Sequence, residues 1–466
     1  MTGTVAALPA DRTWFGQPRG LTVLLLTNMW EQFSYFGMRA LLVYYMTKAL
    51  LFGQGKASFV YGAYTACAYF TPIVGGVVAD RWLGKRRAVI IGASIMAAGH
   101  FMMAFDTLFY PALATIAIGN GLFLPSLPSQ INDLYTADDP RRASAYNVYY
   151  VGINIGGFLA PLVCGTLGEV YGWHYGFGVA GIGMIAGLLI YLWGGRYLPP
   201  EAPRPAIRAL TAGARFDRAT ILVLVAVALA VTVFRGAYEQ IGNTVALWAD
   251  SSVDRAVGGF VIPMTWFQSL DPLLVTAMTP PLLLLWQRQA AAGYATLATR
   301  RMATGALIVA GAYLLLAGVA ALAGDGRAGW GWLVAFFVLY TLGELFILPT
   351  GLGLFARLAP AGLGATTVAA WFLTIFSGSL AAGLVGTLWS RIGHAAFFTL
   401  LAGLASLAAV LLRASPFADQ SRNVAAPRQK SLTVLRSGQY CLARDEGAIG
   451  LAGRVQRVDA IKGADR

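Results

Sequence analysis

The first apolar segment of the chain contains a stripe of five polar side chains, and they are Asn28, Glu31, Gln32, Tyr35 and Arg39. Their positions, i, i+3, i+4, i+7 and i+11, share one face of a helix with 3.6 residues per turn. A charged side chain at the centre of a bilayer costs about 2.5–3.5 kcal/mol. Because lipid cannot solvate this face, the stripe predicts a water-filled cavity or opposite charges on neighbouring helices.

The composition of the chain predicts a polytopic membrane protein. Charged residues make up 12% of the 466 residues, whereas a soluble protein carries about 25%. Residues 1–20 are polar and lack a cleavable signal pattern, so we expect the first helix to insert uncleaved. The number and order of the membrane-spanning helices are predicted by the apolar spans.

Twelve apolar spans are predicted, at 21–48, 57–79, 86–105, 108–135, 143–167, 175–195, 219–249, 258–286, 302–322, 329–357, 364–389 and 394–413. Fifteen Arg and Lys residues lie in the loops that follow even-numbered spans, and five lie in the opposite loops. This asymmetry is the positive-inside pattern, which predicts that both termini are cytoplasmic. The net charge of +13 is therefore explained by the excess of basic residues in the cytoplasmic loops, and we expect no nucleic-acid partner.

A segment rich in Pro, Ala and Arg divides the spans into six and six. We predict a cytoplasmic N-terminus at 1–20, six-helix bundles at 21–195 and 219–413, a cytoplasmic linker at 196–218 and a flexible cytoplasmic tail at 414–466. Two such halves are the arrangement of a major facilitator transporter, whose substrate site lies at the midplane between them. The sequence therefore predicts an all-α membrane protein with the major facilitator fold.

The loop between the second and third spans resembles the signature loop of that superfamily. Glycines such as Gly76 allow two helices to approach closely. Asp80, Arg81 and Arg86 would then latch helix ends at the cytoplasmic face. The alternative is a simple positively charged cytoplasmic loop.

Motifs in the same order along the chain resemble the proton-dependent oligopeptide transporter (POT) family. The stripe is similar to the family's first-helix pattern E-x-x-E-R-F-x-Y-Y-G-M-R, and later motifs agree at 150–157, 172–177, 238–244, 266–272, 343–349 and 371–373. The resemblance covers about residues 20–413. It implies a proton-coupled importer of small peptides or peptide-like carboxylates, and pocket roles for Tyr35, Tyr69, Asn154 and Trp371. An aromatic residue of this kind could instead pack or lie at the interface.

Five positions depart from the family's pattern. Asn28 and Gln32 replace a Glu and an Arg on the first helix, where we still expect substrate contacts. Leu124 replaces a Lys that contacts the peptide carboxylate and pairs with the helix-10 Glu. Arg235 stands where the family often has Trp, and Asp271 where it has Asn, so part of the peptide and proton machinery has changed.

The predicted helices contain six charged residues away from their ends, namely the acids Glu31, Glu239, Asp271 and Glu344 and the bases Arg39 and Arg235. Two acids therefore lack an obvious cationic partner, and burial away from water disfavours an ionised carboxylate. We expect Glu31, Asp271 and Glu344 to couple proton movement to transport. The loss of the helix-4 Lys leaves Glu344 free of a competing cation.

The resemblance implies that Arg39 and Glu239 pair across helices 1 and 7 as an outer gate. Arg235, four residues before Glu239, is the alternative partner on the same helix. We also predict that Arg235 takes over the substrate-carboxylate role, since a guanidinium can donate two hydrogen bonds to a carboxylate. The alternative is that Arg235 only neutralises Glu239 or Asp271.

Other functions remain open on the sequence alone. The same fold could carry a non-peptide acid such as nitrate or another small anion, or the chain could be a receptor-like protein that has lost transport. The sequence shows no metal cluster, nucleophile–base pair or phosphate loop, so we expect no enzyme activity and no cofactor besides the proton gradient. We expect a monomer in the cell inner membrane, and solvated side chains at Lys48, Lys56, Asp106 and Asp325.

Overall fold

The computed structural model describes residues 13–414, apart from 15, 137, 138, 140, 202–215, 295, 296, 361 and 362. The described part contains twelve long helices, which confirms the predicted all-helical membrane fold. They are α1 (Arg19–Lys48), α2 (Gln54–Val78), α3 (Lys85–Met102), α4 (Phe109–Ser129), α5 (Arg142–Ala160), α6 (Trp173–Gly194), α7 (Arg218–Tyr238), α8 (Leu270–Ala291), α9 (Ala298–Ala323), α10 (Trp330–Leu358), α11 (Gly364–Gly386) and α12 (His394–Ala414). The predicted tail, most of the predicted linker and the first twelve residues lie outside the described residues.

Several helices are extended by irregular turns. A π-helical turn at Ala79–Leu83 follows α2, and another at Pro161–Gly165 joins α5 to a short helix at Thr166–Val170. A 3-10 turn at Glu239–Gly242 follows α7 and leads into a short helix at Thr244–Ser251, and a 3-10 turn at Met264–Ser269 precedes α8. Proline lacks a backbone N–H, so Pro161 cannot continue the regular helical ladder of α5. Such interruptions free backbone groups for contacts between helices.

Ten of the twelve helices are long and apolar enough to cross a membrane, as judged by their length and composition. The other two are α1, which carries the polar stripe, and α3, which begins with Lys85, Arg86 and Arg87. Both pack against neighbours: α1 contacts α5 and α6, and α3 contacts α4 and α6. Glu31, on the stripe, is 1% exposed, so protein rather than lipid surrounds its carboxylate.

The helices form two bundles. In the first, α2 also packs on α4; in the second, α9 packs on α10 and α12, and α7 packs on α11 and α12. The bundles meet where α2 contacts α11 and α5 contacts α8. At the first of these contacts, a Cβ added at Gly62 would collide with the backbone of Gly383. The two backbones can therefore approach only because neither residue has a side chain.

Short strands tie several connections together. An antiparallel pair joins β1 (Thr13–Trp14) to β2 (Gln17–Pro18), a parallel pair joins β3 (Val253–Asp254) to β6 (Ala328–Gly329), and a hairpin joins β4 (Ala256–Val257) to β5 (Phe260–Val261). The predicted span at 258–286 began too early, because Gly258 and Gly259 have positive φ angles of +53° and +87° and form the turn of that hairpin.

The predicted signature loop contacts the end of α6. Arg86 Nη2 donates hydrogen bonds to the carbonyl oxygens of Leu198 and Pro199, both at 2.7 Å. Lys85 Nζ donates to Asp133 Oδ2 at 2.7 Å, whereas Asp80 is exposed. Arg86 therefore joins the start of α3 to the segment that follows α6, and the predicted latching role of the loop stays a prediction.

Candidate functional site

A cavity of about 150 Å³ lies between the two bundles. Side chains from α1, α2, α5, α7, α8 and α10 line it. Its charged lining residues are Arg39, Arg235, Glu239, Asp271 and Glu344, and its polar lining residues include Tyr69, Tyr150, Asn154, Tyr238 and Gln268. The cavity thus contains all of the charged residues predicted within the helices except Glu31.

Arg39, Arg235 and Glu239 form a buried arginine cluster. Glu239 Oε2 accepts a hydrogen bond from Arg39 Nη2, and Glu239 Oε1 accepts one from Arg235 Nη2. The side chain of Glu239 is 1% exposed. Both partners considered from the sequence are therefore present at once. With both arginines protonated and Glu239 ionised, the arginine cluster carries one net positive charge.

Aromatic side chains hold the two guanidinium groups in place. Arg39 Nε donates to Tyr61 Oη at 2.6 Å. The Arg235 guanidinium lies 5.3 Å from the ring centre of Tyr69 and 5.0 Å from that of Tyr238, distances typical of cation–π contacts. Arg235 Nε is buried without a hydrogen-bond partner among the described residues. The guanidinium of Arg235 is thus fixed at the cavity wall with donor capacity left over.

Asp271 and Glu344 form an acid pair on α8 and α10. Their carboxyl groups lie within hydrogen-bonding reach of each other. Thr341 Oγ1 donates to Asp271 Oδ1 at 2.8 Å, and Tyr238 Oη donates to Glu344 Oε1 at 2.8 Å. Glu344 Oε2 is buried and has no donor among the described residues. Since an ionised carboxylate only accepts hydrogen bonds, the two carboxyl groups can bond to each other only by sharing a proton.

Five residues predicted to bind substrate or to couple protons do not line the cavity in this conformation, and they are Asn28, Glu31, Gln32, Tyr35 and Trp371. The carboxylate of Glu31 accepts a hydrogen bond from Gln32 Nε2 at 2.7 Å. Trp371 is 3% exposed and packs on Phe355, with ring centres 5.2 Å apart. Their predicted roles in substrate binding and proton coupling stay predictions.

The cavity is closed on the side of the α1–α2 and α7–α8 connections, which we call the closed side. Lys48 Nζ pairs with Asp250 Oδ1 at 2.8 Å, and Ser58 Oγ donates to Asn243 Oδ1 at 2.9 Å. Both contacts join the first bundle to the second. Lys48 is exposed, as expected from the sequence, and the α7–α8 connection also brings a carboxylate to it. Asp106 likewise accepts a hydrogen bond from a tyrosine of α1.

A second contact on the closed side joins the end of α5 to the start of α8. Glu169 accepts hydrogen bonds from the backbone N–H of Met264 at 3.0 Å and from Thr265, through its N–H at 2.9 Å and its Oγ1 at 2.7 Å. Trp266 Nε1 donates to Thr166 Oγ1 at 2.8 Å. Glu169 therefore caps the 3-10 turn that begins at Met264, as acidic residues cap helices.

The cavity opens in the opposite direction, toward the ends of α5 and α10 that lie far from the closed side. Tyr150 lines the cavity and is 47% exposed. We call this the open side. The first residues of α1 and the last residues of α12 lie at the same end of the helices as the open side.

Sequence reasoning missed several of these residues. Tyr238 follows Arg235 by three positions and so lies on the same helix face, which is a signal that could have found it. Thr341 precedes Glu344 by three positions in the same way. The contact of Glu169 with Met264 joins backbone groups to a side chain 95 residues away, and no local pattern predicts it.

The chain is similar to known membrane transporters. A model of the POT family matches residues 86–212 and 207–399. The uncharacterized transporter YclF of Bacillus subtilis is 32% identical over 87% of this chain and 95% of its own length. Peptide transporter YePEPT of Yersinia enterocolitica is 30% identical over 81% and 89%, respectively. A crystal structure of peptide transporter POT in complex with sulfate matches with a TM-score of 0.81 and 27% identity, over 86% of this chain and 95% of that one.

Proposed function

The chain belongs to the POT family, and we propose that it is a proton-coupled symporter that imports small peptides or peptide-like carboxylates by alternating access. The observation that carries the proposal is that the arginine cluster and the acid pair line the same cavity. A dipeptide ends in an ammonium group and a carboxylate, and these two clusters offer opposite charges to them. The peptide transporters among the similar proteins support this substrate class.

In this proposal the acid pair of Asp271 and Glu344 carries the coupled proton. The pair can hold one proton between its carboxyl groups when water is excluded, and it can lose or gain a proton when the cavity is open to water. Tyr238 and Thr341 fix one oxygen of each carboxyl group. Glu31, which is 1% exposed and next to Gln32, is proposed as a further coupling group.

We propose the positive-inside topology for the same chain. The termini would then be cytoplasmic, the open side would face the cytoplasm and the closed side would face outward. The structure would correspond to an inward-facing state of a monomer in the cell inner membrane. Arg39 and Glu239 would help to hold the outer gate shut.

The substitution Arg235→Gln is expected to weaken the binding of peptides with a free carboxylate by about tenfold or more, since a hydrogen bond to a charged group contributes about 1.5–3 kcal/mol. Equilibrium binding of a dipeptide and of its C-terminal amide to the purified protein would measure this. Arg235→Lys is the matched control, because it keeps the positive charge and removes the planar guanidinium that can donate two parallel hydrogen bonds to a carboxylate. An equal loss for the amide would show that Arg235 only neutralises Glu239.

The substitution Glu169→Ala should shift the protein toward opening on the closed side, because it removes the acceptor of three hydrogen bonds between the bundles. We expect a cysteine introduced at Gln268, in a cysteine-free background, to react at least about tenfold faster with an impermeant thiol reagent added outside intact cells.

Asp254→Asn is the control for this experiment. Asp254 is an exposed carboxylate in the same α7–α8 connection, and its Oδ1 accepts a hydrogen bond from the backbone N–H of Ala256. An equal rise in labelling in both variants, or no rise in Glu169→Ala, would show that the Glu169 contact does not hold the closed side.

A second candidate is the import of a small non-peptide acid. The cavity of about 150 Å³ is smaller than the roughly 300–1,000 Å³ of typical ligand sites, and Leu124 stands where the family has its carboxylate-binding Lys. Uptake of a labelled dipeptide into proteoliposomes, with and without an inward proton gradient, decides between the two. If the folded protein takes up no dipeptide, a thermal-shift screen of small carboxylic acids would identify the substrate or point to a receptor-like role.

A further inference from the structure

A groove of about 490 Å³ lies on the outer surface of the second bundle, between the end of α9 and the start of α10. Aliphatic side chains of α9 and Trp332 of α10 line most of it. Leu322 is 91% exposed and Trp332 is 51% exposed. Because both helices are long and apolar enough to cross a membrane, these exposed apolar side chains would face lipid when the protein lies in a bilayer.

Glycines make this surface concave. Gly318 lies in the middle of the groove wall, and a Cβ added there would meet no atom within 4 Å. The same is true of Gly329, which lines the end of the groove. Neighbouring residues such as Leu314 and Leu322 carry full side chains on either side. The groove is therefore open space along α9 that a flexible hydrocarbon chain could fill by van der Waals contact.

A single cation marks one end of the groove. Arg327 belongs to its lining and is exposed. The six ion pairs among the described residues involve other cations. Asp325, two residues earlier, is also exposed and is the acid nearest to Arg327 in the sequence. Trp330, 39% exposed at the first turn of α10, places this end at the depth where tryptophan marks the membrane interface.

We propose that this groove binds an anionic phospholipid, with one acyl chain along α9 and the phosphate at Arg327. An apolar groove with a cation at its interfacial end is complementary to an amphiphile with an anion at one end. A free anion would leave the aliphatic lining unused. The residues that line the end of the groove include Ala328 and Gly329, which form β6 and pair with β3 in the α7–α8 connection, so a bound lipid would contact a strand pair on the closed side.

Native mass spectrometry of the full chain in detergent, titrated with phosphatidylglycerol or phosphatidylcholine, tests the proposal. We expect the wild-type protein to retain one phosphatidylglycerol at concentrations where it retains no phosphatidylcholine. Arg327→Gln should weaken phosphatidylglycerol retention by about fivefold, the effect of one basic residue at an anionic surface, and should leave phosphatidylcholine unchanged. Gly318→Leu should fill the groove and reduce the retention of phosphatidylglycerol, and also that of phosphatidylcholine at the higher concentrations where the wild type begins to retain it.

Gly311→Leu is the matched control. It lies seven residues before Gly318 on the same exposed side of α9, and a Cβ there also meets no atom within 4 Å. Retention that is the same in the Gly311→Leu and Gly318→Leu variants, or no preference for phosphatidylglycerol in the wild type, would overturn the proposal. A doubled mass that is lost in Gly318→Leu would also overturn it, by showing that a second copy of the chain occupies the groove.

Discussion

The substitution Glu344→Gln should abolish proton-driven uptake of a labelled dipeptide, by at least about 100-fold. Gln cannot release a proton, so the acid pair would lose the group that we propose to couple transport to the gradient by gaining and losing a proton. Tyr238 would still have an oxygen at position 344 to bond to, and we therefore expect the protein to fold. Uptake into proteoliposomes with an inward proton gradient measures the effect.

Two further measurements separate coupling from binding in this variant. Counterflow, in which labelled peptide exchanges for unlabelled peptide without a gradient, should persist in Glu344→Gln because exchange needs no net proton release. Thr341→Val is a matched control, since it removes a donor to Asp271 but keeps both carboxyl groups. Full gradient-driven uptake by Glu344→Gln would show that the acid pair does not carry the proton.

The substitution Glu239→Gln should reduce stability more than the loss of either arginine. It removes the anion that Arg39 and Arg235 share and leaves two guanidinium groups close together in a buried site. Breaking a buried ion pair from one side costs about 3–5 kcal/mol. We expect a large fall in the thermal midpoint in detergent, together with a loss of folded protein on gel filtration.

Arg39→Gln and Arg235→Gln are the matched comparisons, because each leaves Glu239 with one cation. Their effects on the thermal midpoint should each be smaller than that of Glu239→Gln. The double substitution Arg235→Gln with Glu239→Gln returns the arginine cluster to its original net charge of one. It should therefore be more stable than Glu239→Gln alone. A thermal midpoint in Glu239→Gln equal to that of the wild type would show that water or a bound anion already compensates the arginines.

The fold was predictable because most of its membrane-spanning helices are long, continuous apolar segments of the sequence. Ten helices are recognisable from length and composition alone. The first and third helices were also predicted as apolar spans, at 21–48 and 86–105, although α1 carries the polar stripe and α3 begins with three basic residues. The start of the eighth span was misplaced because a glycine turn interrupts an apolar run, and hydropathy does not distinguish a short hairpin from a helix.

The candidate site was predicted only in part, and the polar stripe of α1 shows the reason. A helix rises 1.5 Å per residue, so Asn28 and Arg39 lie about 16 Å apart along α1. Helical periodicity gives the face on which a residue lies but not its depth in the membrane. Arg39 lines the cavity, whereas Glu31 bonds to its neighbour Gln32 at another depth. The sequence identified Arg39 and Arg235 as alternative partners of Glu239. Only the three-dimensional structure shows that both contact it at the same time.

The arginine cluster and the acid pair also determine how the carrier would respond to an electrical potential. With one proton shared by Asp271 and Glu344, and with Glu31 neutral, the negative charge of the acid pair balances the net positive charge of the arginine cluster. An empty carrier in this state has no net charge in its core, so its return step would be insensitive to voltage. A second proton adds one positive charge, and a zwitterionic peptide adds none. The loaded inward step would then be electrogenic and would gain about 2.3 kcal/mol per 100 mV of an inside-negative potential.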